Sequence, residues 1–336
     1  MMRFVLQWHL TERCNLRCTH CYQNEAIIKD ELSLKENYMV VDKFVHFIKT
    51  LNKESYSRGV LNITGGEPFV YRDLEPLLEY ISQFKEYLSF NFLSNGTLIN
   101  DKSIELIKKY KPLFVQISID GDQITHDKIR GKGAFESAMR GIRKLKANNI
   151  KVLISFTAHK LNYRDFPKVA KIARDAGVDR VWSDRMIPEG VGIGMQNDLL
   201  SPKETFEYAR IMKYEQIKHR LNPFTKTVVA TDRSLQFVPH IEDGHKCVAG
   251  KLMFALLPNG EILPCRRLAI NIGNIREDTF EEIYYKNSLV QKLKIPDIEI
   301  DGCEKCSFKK SCNGGLRCLS YSITGDPFKK DPGCWR

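Results

Sequence analysis

Apolar residues in the first part of the chain come in short β-rich runs separated by helical patterns. The runs are "FVLQWHL" (4–10), "GVLNITG" (59–65), "LSFNFLS" (88–94), "LFVQISID" (113–120), "KVLISFTA" (151–158) and "DRVWSD" (179–184). Helix-like segments lie between them, near 35–52, 73–85, 101–110, 134–147 and 163–176. In "AFESAMRGIRKLKA" (134–147) Ala138, Met139, Ile142 and Leu145 share one face, as a period of 3.6 residues requires. Six β–α units predict a parallel sheet with helices outside, and six is too few for a complete eight-unit barrel. The expected fold is α/β: a partial (β/α)6 TIM-like barrel over residues 1–200, with functional residues at the C-terminal ends of its strands.

The pattern changes after residue 200. "SPKETFEYARIMKYEQIKHRLNP" (201–223) reads as an amphipathic helix with Ser201 as N-cap and Glu204 three residues on. It opens a bridge running to 244. "KLMFALLPNGEILPCRR" predicts a β-hairpin around Asn259–Gly260. The C-terminal end of the third segment, 245–336, is rich in Cys, Gly and turn formers. It is expected to build little apolar core and to be held by bound clusters instead. No run approaches the roughly 18 apolar residues of a membrane span. The N-terminus lacks the apolar core of a signal peptide. The expected location is the cytoplasm.

Ten cysteines in a cytosolic chain of 336 residues predict metal or redox chemistry rather than disulfides. Cys14, Cys18 and Cys21 lie together, and the remaining seven fall between Cys247 and Cys334. The formal charge of +11 makes the chain basic. No Lys/Arg run interleaved with aromatics marks a nucleic-acid site, which argues against that partner. An acidic peptide or carrier protein fits the charge, and so does a solvated basic surface.

Three thiolates on the loop "RCNLRCTHCYQ" (13–23) can ligate three irons of a [4Fe–4S] cube and leave the fourth open. A zinc site completed by His20 is the alternative. "CNLRCTHCY", with His20 before the third Cys, resembles the cluster signature of the radical S-adenosylmethionine (SAM) enzymes. The resemblance implies that SAM chelates the open iron through its methionine amino and carboxylate groups. It also implies reductive cleavage to a 5′-deoxyadenosyl radical that abstracts a hydrogen atom. "TGGEP" (64–68) matches the family's GGEP motif. Gly65 and Gly66 would let the backbone approach the methionine group, and Glu67 or nearby carbonyls would accept from its ammonium. "SIDG" (118–121) matches the ribose and carboxylate region. Ser118 is expected at a ribose hydroxyl and Arg130, in "HDKIRG", at the SAM carboxylate, with a surface ion pair as the competing reading. "SNG" (94–96) resembles a further family turn, and Met186 lies where the family places backbone contacts to adenine. Asp120, Asp184 and Arg185 are candidate catalytic residues, with His159 beside them, and nothing in the sequence assigns them roles.

The C-terminal cysteines resemble the SPASM domain, which holds auxiliary [4Fe–4S] clusters in peptide-modifying radical SAM enzymes. That resemblance implies one cluster on Cys303, Cys306, Cys312 and Cys334 and another on Cys247, Cys265 and Cys318. Where the family has "CxGGC" this chain has "CNGGLRC", with Leu316 at the usual thiol position and Cys318 two residues later. The three-Cys cluster therefore has an open iron, or a non-Cys ligand such as Asp243 or His245. A zinc-ribbon-like fold is the alternative for the four-Cys set. If all ten thiols are ligands none is spare, which disfavours an epimerase that needs a free Cys.

The reading that follows is a peptide maturase forming a thioether in a ribosomally made precursor peptide. Sulfatase-maturase-like oxidation of a protein residue, a porphyrin or other small cofactor, and peptide epimerisation are the alternatives. A flavodoxin- or ferredoxin-type electron donor is expected. Because the first strand starts near residue 4, a separate leader-peptide recognition protein is expected too, or a substrate without a leader.

Overall fold

A computed structural model of the chain describes residues 2–23, 30–53, 57–221, 225–231 and 246–336. The six expected strands form as β1 (Met2–His9), β2 (Ser57–Thr64), β3 (Leu88–Ser94), β4 (Val115–Ser118), β5 (Val152–Ala158) and β6 (Arg180–Arg185), each parallel to the next. The connecting helices are α1 (Leu34–Asn52), α2 (Leu74–Ser82), α3 (Asp101–Tyr110), α4 (Gln123–Arg130), α5 (Ala134–Ala147) and α6 (Phe166–Asp175). Helix α4 has no counterpart among the expected elements. Its eight residues are mostly polar, and its start is signalled only by Asp122, whose carboxylate accepts from Thr125 N.

Alternation along the strands sorts two faces. Phe4, Leu6 and Trp8 of β1, Leu61 and Ile63 of β2, Phe92, Ile117, Ile154 and Val181 have no solvent exposure and join the core under the helices. The opposite face is polar and partly open: Gln7, Asn62, Gln116, Ser118, Ser155, Thr157 and Trp182 are half-buried. In the middle of a sheet, that exposure means the concave side of the partial barrel is a chamber lined by amides and hydroxyls.

Helix α7 (Pro202–Arg220) has the expected capping box, Ser201 N donating to Glu204 and Glu204 N to Ser201 Oγ. The stretch assigned to a bridge also adds a seventh parallel strand, β7 (Val228–Ala230), beside β6. The C-terminal part continues the same sheet at the other edge. The hairpin forms as β8 (Met253–Leu256) and β9 (Glu261–Leu263), with Gly260 at φ +88° in its turn, and β8 lies parallel to β1. With β10 (Gly273–Asn274) the sheet has ten strands, ordered β10-β9-β8-β1-β2-β3-β4-β5-β6-β7. Helices α8 (Phe280–Lys286), α9 (Ser288–Lys294), α10 (Lys309–Cys312) and α11 (Arg317–Thr324) complete the chain. No helix among the described residues is long and apolar enough to cross a membrane.

The expectation of little apolar core near the C-terminus needs correcting. Ile187, Ala249, Leu268, Leu293, Ile300, Leu316, Cys318, Leu319 and Phe328 form a second, smaller buried cluster. Its members are mostly single residues far apart in sequence, so no periodic run announces them. Leu316, at the position where the SPASM pattern has a thiol, is one of them.

The two segments also share aromatic packing. Phe254 of β8 is fully buried, with its ring 5.2 Å from Phe4 of β1 and stacked near Phe47 and Phe280. Phe254→Ala should cost about 3–5 kcal/mol and lower the stability of the whole chain in a single urea transition. Two separate transitions, with the N-terminal one unmoved, would contradict this shared core.

Candidate functional site

The loop after β1 carries Cys14, Cys18 and Cys21, and strand-end turns grip it. Thr11 O accepts from Gly66 N (2.7 Å) and Arg13 O from Glu67 N (2.9 Å). A Cβ on Gly66 would stand 2.1 Å from Arg13 O, and one on Gly65 (φ +148°) 2.5 Å from Thr11 O. The glycines of "GGEP" are thus required by the chain entering the Cys loop. Glu67 is fully buried and accepts from Ser94 Oγ (2.8 Å), Asn95 N (2.8 Å) and Phe69 N (3.4 Å). Burial pushes its carboxyl up to about 7 against those bonds. Its oxygens are therefore taken by the "SNG" turn, and of the two acceptors expected for an ammonium the backbone carbonyls are the freer. Asn95 carries the tie onward, its Nδ2 meeting Asn15 Oδ1 (2.9 Å) and Cys14 Sγ (3.8 Å).

A second grip on the loop has no counterpart among the expected contacts. After β6, Val191 N donates to Gln23 O (3.0 Å) and Gly192 N to Cys21 O (2.8 Å), and a Cβ on Gly190 would stand 2.4 Å from Gln23 O. The sequence signal was the alternating glycines of "GVGIG" (190–194).

Asp120 is the hub beneath the loop. With no solvent exposure, its Oδ2 meets Arg130 Nε (2.5 Å) and His20 Nε2 (3.1 Å), and its Oδ1 accepts from Thr157 N (2.8 Å). Burial alone would raise its carboxyl, but Arg130 and His20 outweigh that and hold it well below the usual range. Arg130 is in a buried pair, not a surface one, and its Nη1 reaches Cys18 Sγ (3.9 Å). Asp120 is thus a positioning group rather than a free acid or base. His20 and His159 lie with ring centroids 6.0 Å apart; Nδ1 of His20 and both ring nitrogens of His159 are buried without a partner among the described residues. Half-buried Ser118 lies opposite Ser155 on the open face. Met186 is buried, its N donating to Ala158 O (2.9 Å).

The other two catalytic candidates also have charged partners. Arg185 forms a buried two-armed pair with Asp331 (Nη1–Oδ1 3.0 Å), and Asp331 also accepts from Leu316 N (2.9 Å) and Gly333 N (2.8 Å). Asp184 pairs with Arg267, whose Nη2 donates to Arg185 O (2.7 Å).

The C-terminal thiols fall into two sets. Cys303, Cys306, Cys312 and Cys334 line one cavity. Cys247, Cys265 and Cys318 lie near enough to act on one another's charge. Asp243 and His245 lie outside the described residues. All ten thiols are free, and burial pushes Cys312 and Cys318 up to about 12. Such thiols become thiolates only against a strong cationic partner, which is the chemistry of an iron–sulfur cluster. Sulfurs on one tetrahedral zinc stand about 3.8 Å apart, given a Zn–S bond of about 2.3 Å. No group of three or more Cys, His, Asp or Glu among the described residues takes up a single-ion arrangement. N–H donors aimed at Cys14 and Cys18, and partnerless ring nitrogens nearby, fit an anionic cluster with a polar ligand.

Comparison with known proteins agrees. Residues 8–173 match the model of the radical SAM superfamily, and residues 247–312 that of the SPASM iron–sulfur cluster-binding domain. The chain belongs to the radical SAM enzymes that carry a C-terminal SPASM domain. It is an enzyme, and its cofactors are SAM and [4Fe–4S] clusters. It is 27% identical to Fe-coproporphyrin III synthase of Methanosarcina barkeri, over 98% of this chain and 87% of that protein. It is 30% identical to the antilisterial bacteriocin subtilosin biosynthesis protein AlbA of Bacillus subtilis, over 91% of this chain and 66% of that one. The solved structure of native anSMEcpe with bound AdoMet superposes with a TM-score of 0.76 at 19% identity, covering 99% of this chain and 94% of that one.

One consequence is a pH dependence of folding. His126 Nδ1 accepts from Asp120 N (3.2 Å), and burial, then Arg130, lowers its pKa to about 4; burial likewise lowers His159 to about 4. Both folded values lie below the unfolded value near 6.5, so the unfolded chain binds protons that the folded chain refuses. Through these two histidines stability should fall as pH drops from about 6.5 toward 4, opposed in part by Glu67, which up to about 7 keeps a proton in the folded chain that the unfolded chain has released. Urea midpoints between pH 4.5 and 7.5 should show a shallower slope for His126→Gln than for the unaltered protein; equal slopes would contradict it.

Proposed function

We propose that the chain is a peptide maturase that forms a thioether cross-link in a ribosomally made precursor. In this reading Cys14, Cys18 and Cys21 hold the SAM cluster. Cys303, Cys306, Cys312 and Cys334 hold one auxiliary cluster, and Cys247, Cys265 and Cys318 another with an open iron. SAM and a reduced cluster held at the first site would supply radical hydrogen-abstraction chemistry. The chain's own residues orient SAM: Ser118 toward a ribose hydroxyl, Arg130 toward the carboxylate, the carbonyls of 65–67 toward the ammonium. His20, His159 and the backbone at Met186 would bound the base. The amide- and hydroxyl-lined chamber offers donors and acceptors to a peptide backbone.

The observation that carries the reading is the grouping of three thiols, Cys247, Cys265 and Cys318; a cluster held by these alone would keep one iron for a substrate sulfur. The 30% identity to AlbA supports it. A second reading, action on a tetrapyrrole, draws on the match to Fe-coproporphyrin III synthase along 98% of this chain.

Anaerobically reconstituted protein should hold about twelve irons, falling to about eight when Cys247, Cys265 and Cys318 are all changed to Ala. With SAM, reductant and Cys-containing peptides encoded beside its gene, it should yield 5′-deoxyadenosine and a peptide lighter by two hydrogens. If iron-coproporphyrin III stimulates 5′-deoxyadenosine formation and no such peptide does, the peptide reading falls to the second.

A further inference from the structure

The turn after β9 presents three successive side chains in three directions. Leu268 N closes it on Cys265 O (2.9 Å). Cys265 joins the three-thiol set. Arg266 turns to the first Cys loop, its Nη2 donating to Tyr22 O (3.0 Å) and its guanidinium 5.0 Å from the centre of the Tyr22 ring. Arg267 turns to the end of β6, where Nη1 pairs with Asp184 and Nη2 donates to Arg185 O (2.7 Å). These bonds engage two of the five N–H groups that a guanidinium carries. They fix the planar fork in a turn whose ends, Cys265 and Leu268, pack in the same small cluster as Cys247 and Cys318, and its charge acts on Cys318 and Cys265. Asp184 is the counter-charge that makes a half-buried Arg tolerable there, so the pair arrives at the thiols already oriented.

We propose that Arg267, anchored by Asp184, is a positioning residue for the three-thiol site: its cation selects and holds an anionic sulfur, the thiolate of a substrate cysteine, at the open position. This rests on the reading of Cys247, Cys265 and Cys318 as a cluster with one uncommitted iron. A cation beside such a site does two things. It stabilises a thiolate over a thiol, and it stabilises the reduced, more negative state of the cluster. Lysine at the same place would keep the charge and lose one arm of the fork.

The test uses the full, reconstituted chain, with N-acetylcysteine methyl ester as the thiol probe and the cluster EPR spectrum as the readout. In the unaltered protein the probe should change the signal of one cluster in a saturable way. Arg267→Met should weaken that response about ten-fold or more at unchanged iron content, and should lower the midpoint potential of the same cluster. Arg267→Lys should recover part of both. Asp184→Asn frees the arginine and also removes a negative charge that acts on Cys318, so it should raise the midpoint potential of that cluster while weakening probe binding through loss of orientation. Equal probe affinity and equal potential in the unaltered protein and Arg267→Met would overturn the proposal. So would the lack of any probe-dependent signal in protein holding about twelve irons. About eight irons in the unaltered protein would instead remove the three-thiol cluster, and with it the reading on which this one rests.

Discussion

A carboxylate without access to water organises the site. Asp120 follows the end of β4, and its charge is met by Arg130, His20 and the amide of Thr157. Each partner comes from a different place: α4, the Cys loop and β5. Removing one partner of a buried pair leaves the other uncompensated, at about 3–5 kcal/mol, so the four segments cannot shift independently. The short helix α4 makes sense on these terms. It carries Arg130 back over the strand ends, and Thr19 N donates to Ile129 O (3.0 Å), so the helix also holds the loop backbone. The thiols at 14, 18 and 21 are thereby set by neighbours that do not touch iron.

The chain closes around this point from both edges of the sheet. The β8–β9 hairpin extends the sheet beyond β1, and the turn that follows sends Arg266 to Tyr22, next to Cys21. The glycines after β6 reach the same loop from the other side. A boundary drawn along the sequence near residue 245 therefore does not divide the molecule in space. Phe254 lies 5.2 Å from Phe4, nearly the 4.9 Å that separates Phe4 from Phe47 within the first segment.

What was legible in the sequence follows from how each feature is encoded. The strands of residues 4–184 were readable because a buried strand needs a local apolar run. The capping box at Ser201 and the turn at Asn259–Gly260 were readable because a few adjacent residues specify each. Helix α4 was hidden because its job is polar. Strand β7 was hidden because three residues carry no period. The second apolar cluster was hidden because Ile187, Leu268, Leu316 and Phe328 meet only after folding. The thiols could be grouped from spacing through a family resemblance. The partners of Asp120, Asp184 and Arg185 could not, since ion pairs across 10, 83 and 146 residues leave no local mark.

The departure at "CNGGLRC" is best understood through Asp331. Its carboxylate takes Leu316 N, Gly333 N and Arg185 together. With the amide of Leu316 committed there and its side chain in the second core, the loop turns directly into α11. Cys318, in the first turn of that helix, is then carried toward Cys247 and Cys265. The thiol has moved two residues because the chain uses Leu316 for packing. Asp331 also precedes Cys334 by three residues, and Cys334 N donates to Asp331 O (2.9 Å). Consecutive residues at the end of β6 thus brace both C-terminal sets, Arg185 through Asp331 and Asp184 through Arg267. Any substitution that rotates that strand end should disturb both thiol sets at once, because neither is held by the SPASM segment alone.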